Sequence, residues 1–313
     1  MTQYTWTFDA PTGTYKSHAM SGKLFEAALE DSVFMDHVQP VNGYGRRMGE
    51  SVTLTRLSNV TEPGSGDLTE GERIPEDALS LSTTSITVTE IGRSIPYTSL
   101  SDDLSKFDIT SPVQKGLRNQ MKLTLDTKAA TAFKTAQVKY IPTGLSSGTF
   151  DTDGTASTSA TANMNVYHIE EIVDYMYDTL QVPQIGDDYV GIFRRLALRG
   201  IRRDPAWEEW HKYTDPQAKY NGETGRMEGM RMIETNHANA LAKVGTNSVL
   251  GEGVVFGEDG IALAEVQTPE LRAAMPTDFG RSKAVAWYGI LEFGIIWDTA
   301  NAGEARIVHV TSS

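Results

Sequence analysis

The run SPVQKGLRNQMKLTLDTKAATAFKTA, residues 111–136, constrains this chain more than any other stretch. Ser111 belongs to the residue types that cap helix N-termini, and Pro112 suits a first helical turn, where a missing N–H costs nothing. Val113, Leu117, Met121 and Leu125 recur at every fourth position, and Ala129, Ala132, Phe133 and Ala136 continue the stripe. The pattern predicts one helix of about 25 residues, about 37 Å long at about 1.5 Å per residue. Ordinary globular helices are much shorter. The opposite face carries Lys, Arg, Gln, Asn and Thr, so one side packs and the other meets water. Gly116 is a weak point near the start. A helix of this length provides a backbone from which the other elements hang.

The 313 residues suffice for one large or two modest cores. No apolar run reaches the about 18 residues of a membrane-spanning helix. The first residues, MTQYTWTFDAPTGTYK, lack the basic and apolar regions of a secretory signal. With no cysteine, disulfides and thiolate metal sites are excluded. The net charge of −13 argues against a protein built to grip phosphates over its whole surface, and it favours solubility.

Residues 1–19 show no period and read as an extended arm. Residues 21–38 read as a short amphipathic helix, with Leu24, Phe25, Ala28, Leu29 and Val33 on one face and Pro40 ending it. Residues 51–57 and 85–91 alternate and are rich in β-branched types, so they read as strands. The polar segment between them makes a long hairpin that cannot bury itself. From Glu50 to Glu90 there are eight acids (Glu50, Glu62, Asp67, Glu70, Glu72, Glu76, Asp77, Glu90) against Arg56 and Arg73, and no lysine. Residues 142–163 read as a Ser/Thr/Gly-rich loop. Residues 166–180 read as a helix with Glu170 and Glu171 in its first turn, and 189–193 as a short strand. Residues 192–200 read as the start of a further helix carrying Arg194, Arg195 and Arg199, with Arg202 and Arg203 just beyond. Residues 225–235 look like a strand entering a sheet, and 254–256 and 261–264 flank a turn at 257–260. Residues 285–297 are apolar on both faces over most of their length, which predicts a strand covered twice, with 306–311 returning as its partner. No internal repeat is present.

Candidate chemistry is thin. Gly144-Leu-Ser-Ser-Gly148 matches G-x-S-x-G, but a nucleophile elbow needs a strand before it and a helix after it. Asp151-Thr-Asp-Gly154 hints at a calcium loop, yet the twelfth position, where a bidentate Glu belongs, is Ala162. The six histidines never fall at metal-binding spacing, so they read as ordinary polar contacts. Trp207, Trp210, Tyr213 and Tyr220 read as core or interface before ligand pocket. The five arginines between 194 and 203 form the basic cluster. Contact with DNA and pairing with acids of a neighbouring subunit both remain open for it. No paired catalytic carboxylates, phosphate loop or triad emerges, and no cofactor or metal is expected.

The order of elements resembles the major capsid proteins of double-stranded DNA phages with the Hong Kong 97 fold. The residues that carry the likeness are GRSIPYTSLSDDLSKFDITSPVQKGL (92–117), GRMEGMRMIETN (225–236) and DFGRSKAVAWYGILEFGIIWD (278–298). The resemblance implies an α+β fold. Residues 1–45 would be an N-terminal arm and helix, and 46–98 an extended β-hairpin, the E-loop, lying on the adjacent subunit. Residues 99–163 would form a peripheral domain with the 111–136 helix as its spine. Residues 164–260 would form an axial α/β domain, and 261–313 would return to the peripheral domain.

The resemblance further implies a non-enzymatic virion protein that assembles in the host bacterial cytoplasm. Its partners would be itself, as hexamers and pentamers, then a portal protein, a scaffolding protein in trans, a decoration protein and weakly held packaged DNA, with no membrane. The expected inter-subunit residues are Arg46, Arg47, Arg56, Glu62, Asp67, Glu70, Glu72, Arg73, Glu76, Asp77, Arg194, Arg195, Arg199, Arg202 and Arg203. Two departures stand out. Some members cross-link subunits through an E-loop lysine, and this hairpin has none. Some carry a long N-terminal scaffolding segment, whereas about twenty residues precede the first expected helix here, so a scaffold would be separate or already removed. The alternatives are an encapsulin shell, a hydrolase using Ser146, and a tail or decoration protein, the last disfavoured by the long helix.

Overall fold

The structure, a computed structural model, describes residues 30, 32–57, 66–74, 76, 79, 81–105, 108–205, 225–245, 250–297 and 304–313. The expected arm, most of the expected 21–38 helix, Glu62, Asp77 and the four aromatics between Trp207 and Tyr220 lie outside the described residues. In chain order the strands are β1 (Gln39–Pro40), β2 (Ser51–Leu57), β3 (Leu81–Thr87) and β4 (Thr89–Thr98). Helices α1 (Ser99–Leu104) and α2 (Thr110–Lys134) follow, then β5 (Val138–Gly144), β6 (Ser147–Asp151) and α3 (Val166–Asp174). The remainder is β7 (Tyr189–Arg194), β8 (Arg226–Met227), β9 (Met230–Thr235), β10 (Lys243–Val244), β11 (Leu250–Gly251), β12 (Gly253–Phe256), β13 (Ile261–Ala273), β14 (Ser282–Ile295) and β15 (Ile307–Val310).

Helix α2 is the long helix expected from the apolar stripe, and it spans 25 residues. Its start differs. Ser111 is not the cap; Asp108 Oδ1 accepts the Thr110 N–H at 3.1 Å, and the helix begins at Thr110. Burial along α2 is uneven. Its first turns are half-exposed apart from Leu117, while Ala129, Ala130, Ala132 and Phe133 are buried. Asp126, two turns before Phe133 on the same face, is buried as well.

Two larger sheets explain that gradient. A four-stranded sheet has the order β1-β13-β14-β4, and a seven-stranded sheet the order β6-β5-β15-β12-β7-β9-β8. Leu117 packs with Val285 and Trp287 of β14. Further along, Ala129 and Phe133 meet Leu291 and Phe293 of β14 on one side and Ile192, Val254, Phe256 and Ile307 of the seven-stranded sheet on the other. The far face of that second sheet is covered by α3, whose Ile169 and Ile172 join Tyr140, Tyr189, Phe193, Val255 and Val308 in one cluster. A sheet covered on both faces needs continuous apolar strands, which is what the VVF of β12 and the IVHV of β15 supply.

Several pairings differ from the sequence reading. Residues 307–310 do not return to β14; β15 pairs antiparallel with β12 and parallel with β5, in the other sheet. The turn at 257–260 is not a hairpin either, because β12 and β13 belong to different sheets. β14 buries Val285, Trp287, Leu291 and Phe293, while Tyr288 and Ile290 on the other face are only half-buried, so among the described residues it is covered once. Residues 34–37 form a 3₁₀ turn, and β1 follows at once, so the expected helix does not reach residue 38. The carboxylate of Asp126 redirects the chain there by accepting the Phe34 N–H at 2.8 Å. β6 lies inside the expected 142–163 loop, paired with β5. Asn165 caps α3 with His168 completing the box, which puts Glu170 and Glu171 past the first turn, and a π turn carries the helix on to Thr179.

Candidate interaction surfaces

The hairpin is formed by β2 and β3, in register from Ser51↔Thr87 to Leu57↔Leu81. β3 starts four residues earlier than expected, and the expected 85–91 strand breaks at Val88 between β3 and β4. One face of the ladder is packed. Ile86 meets Ala262 and Ala264, with Val52, Leu54, Val88 and Ile296 around them. Gly294 allows that approach, since a Cβ there would lie 2.6 Å from Ile86 Cγ1. Arg56, opposite Ser82 near the outer end of the ladder, is buried, and its Nη1 donates to the Ile296 carbonyl at 3.2 Å. It therefore ties the hairpin to its own chain, whereas the sequence reading has it as a candidate contact between subunits.

From Leu57 to Leu81 every described residue of the hairpin is exposed. Leu57 and Leu81, opposite each other, are 53% and 63% exposed, and Leu68, Ile74 and Leu79 are similarly open. The tip, expected to hold little apolar content, thus presents three large aliphatic side chains among its acids. Asp67, Glu70, Glu72 and Glu76 are exposed there, and Arg73 pairs with Glu76 within the tip. Arg46 and Arg47 are exposed on the turn before β2, with Arg47 at φ 69°.

The five-arginine cluster is not on an α-helix. Arg194 ends β7, and two 3₁₀ turns, Ala197–Arg199 and Ile201–Arg203, carry most of the rest. Gly200 sits where a Cβ would collide with the Met164 carbonyl oxygen, which presses these turns against the segment before α3. Arg194 donates to the Leu241 carbonyl, and Arg202 pairs with Glu234. Burial first, and the Arg195 charge second, lower the Arg202 pKa from its ordinary value. Arg194, Arg195, Arg199, Arg202, Arg203 and Lys243 line a cavity of about 460 Å³ with Leu196, Thr235 and Asn236. Sequence spacing brought the arginines together; the signal for Lys243 was absent, because it arrives on β10.

Two buried polar clusters also escaped the sequence. In the first, His237 Nδ1 lies 2.9 Å from Asp126 Oδ2, and its Nε2 lies 3.4 Å from Glu30 and 3.3 Å from Thr127 Oγ1. In the second, Glu252 accepts the Ala242 N–H at 2.7 Å and stands 3.5 Å from Lys134 and 3.7 Å from His309. Burial alone would raise the Glu252 pKa, but His309, the Ala242 N–H and the Lys134 charge outweigh it and hold the carboxyl at about 2. Burial pushes the His309 pKa down, Glu252 opposes that, and the Lys139 charge adds to it.

The catalytic motifs dissolve into turns. Ser146 lies in the two-residue turn between β5 and β6, a strand–turn–strand setting that is not a nucleophile elbow. Asp151 and Asp153 accept the N–H groups of Ser157 and Thr155, as turn aspartates do. Among the described residues no group of three or more His, Asp or Glu is arranged to hold a metal ion.

Comparison of the sequence with protein-family models gives no match, and comparison with curated proteins gives none. Solved structures do match. The head structure of Helicobacter pylori bacteriophage KHP40 superposes with a TM-score of 0.72 at 11% identity, over 98% of each chain. The capsid of cyanophage Pam1 gives 0.71 at 13% identity, over 100% of this chain and 99% of that one. The capsid of cyanophage P-SCSP1u gives 0.67 at 12% identity, over 96% and 95%. From end to end, this chain has the mixed α+β fold of phage capsid structures.

Proposed function

We propose that this chain is the major capsid protein of a tailed bacteriophage, forming the icosahedral head that encloses double-stranded DNA. The observation that carries the reading is the full-length likeness to phage capsids, over 98% of both chains for the KHP40 head. Its role is mechanical and not catalytic: hexamers and pentamers close by many modest contacts made cooperative by symmetry. The β2–β3 hairpin is the part completed by a neighbour, with its open leucines and its acids lying on the next subunit. Arg46 and Arg47 are the receiving cations for Asp67, Glu70, Glu72 and Glu76. The four-stranded sheet with α2 makes the peripheral body of the shell subunit, and the seven-stranded sheet the axial one.

The subunit assembles in the host bacterial cytoplasm with a scaffold and portal acting in trans. Negative-stain microscopy of the purified protein tests the reading. Closed shells or five- and six-membered rings of uniform size are expected. A stable monomer at high concentration, with the hairpin protected along its whole length, overturns it.

A further inference from the structure

The basic cavity stands where the parallel pair β7 and β9 runs out. Arg194 is the last residue of β7, and Thr235 the last of β9. Crevices beyond the carboxyl ends of such strands are the usual ligand positions of open α/β sheets. Here the lining is chemically one-sided. It holds five guanidinium groups and one ammonium, and the amide of Asn236 adds a neutral donor. Arg194 and Arg202 are engaged within the chain. Arg195, Arg199, Arg203 and Lys243 are exposed, and among the described residues their side chains make no hydrogen bond or ion pair.

Four cations converging on one hollow repel one another, and an anion carrying several charges relieves that repulsion more than single counterions do. Guanidinium forks match tetrahedral oxyanions through paired N–H···O bonds. At about 460 Å³ the hollow is larger than one phosphate group requires. The rest of the molecule narrows the choice. Setting these six cations aside takes the net charge from −13 to −13 − 6 = −19. A duplex laid along that acidic surface is repelled, whereas a compact or flexible phosphate chain can enter the hollow alone.

We infer that the cavity between the ends of β7 and β9 and the two 3₁₀ turns is a binding site for linked phosphoryl groups, held by Arg195, Arg199, Arg203 and Lys243. The source is either a free oligophosphate or the phosphodiesters of a single strand, which share this chemistry. The inference does not depend on the shell reading, because the site lies within one chain.

The test is calorimetric titration of the full-length protein, in whichever assembly state it purifies, with inorganic tripolyphosphate at low salt. Saturable binding at one site per chain is expected, together with thermal stabilisation that grows with ligand concentration. The triple variant R195Q/R199Q/R203Q, with unchanged circular dichroism, binds at least about tenfold more weakly and with a shallower salt dependence. A short single-stranded oligonucleotide that displaces tripolyphosphate identifies phosphodiesters as the source; one that does not identifies free oligophosphates. Absence of saturable binding, or equal affinity in the triple variant, overturns the inference. So does binding that emerges only in the hairpin variant E70Q/E72Q/E76Q, since the carboxylates of a second copy would then fill the site.

Discussion

The seven-stranded sheet and the β2–β3 hairpin use similar residues to opposite ends. Both are built from short runs rich in β-branched side chains. In the sheet, β12 and β15 are buried at every position, because α2 lies over one face and α3 over the other. In the hairpin, alternate positions stay exposed from Ser51 to Leu57, and the other face meets the body, from Ile86 near the root to Arg56 at the outer end of the ladder. Among the described residues the sheet is covered on both faces, and the outer part of the hairpin is exposed. A strand pair with leucines facing water is marginal by itself, and the proposed contact with a neighbouring subunit would supply the surface that covers it.

That contrast can be broken most forcefully at the sheet. Phe193→Ala removes a fully buried ring, and a loss of about 3–5 kcal/mol in chemical denaturation is expected. The matching change in the hairpin, Leu68→Ala, should move the stability of the single chain by less than about 0.5 kcal/mol while lowering particle yield. If both changes destabilise equally, the hairpin is folded into the body and the contrast fails.

The next effect is in the cluster below the sheet. Glu252→Gln should cost about 2 kcal/mol, since Lys134 and His309 lose their anion in a buried site. The pH dependence has a definite sign. The Glu252 pKa lies below its unfolded value, so its stabilisation is present above about pH 4.3 and is lost as pH falls toward about 2. His309 also has a lowered pKa, so its contribution is full above about pH 6.5 and is lost on acidification through its folded value. Thermal scans across that range should show a midpoint falling with pH, with the lower part of the fall absent in Glu252→Gln.

Smaller effects belong to the hairpin. Reversing the charge at Arg46 and Arg47 should reduce particle yield and heat tolerance while leaving single-chain stability within about 0.5 kcal/mol. Unchanged particles would remove these arginines from the interface. Finally, with no lysine between residues 46 and 98, intact particles should run as single chains on denaturing gels. A covalent ladder traced to the hairpin would contradict this.

What the sequence by itself determined was local. The stripe from Val113 to Phe133 announced α2, the alternation over 51–57 announced β2, and the acids with their missing lysine marked the hairpin as a charged arm. Helix and strand periods are written into neighbouring residues, so they can be read without knowing what lies across from them. Tertiary structure decided the partners. It sent β15 to β12 and β5, buried Arg56 against the Ile296 carbonyl 240 positions away, and buried Asp126 beside His237, 111 positions away. It also turned the arginine run from a helix into two tight turns and added Lys243 to it. Such choices depend on which distant strand completes a ladder and which buried polar group finds its counterpart. Those free energies arise only when separated segments meet, so no local pattern records them.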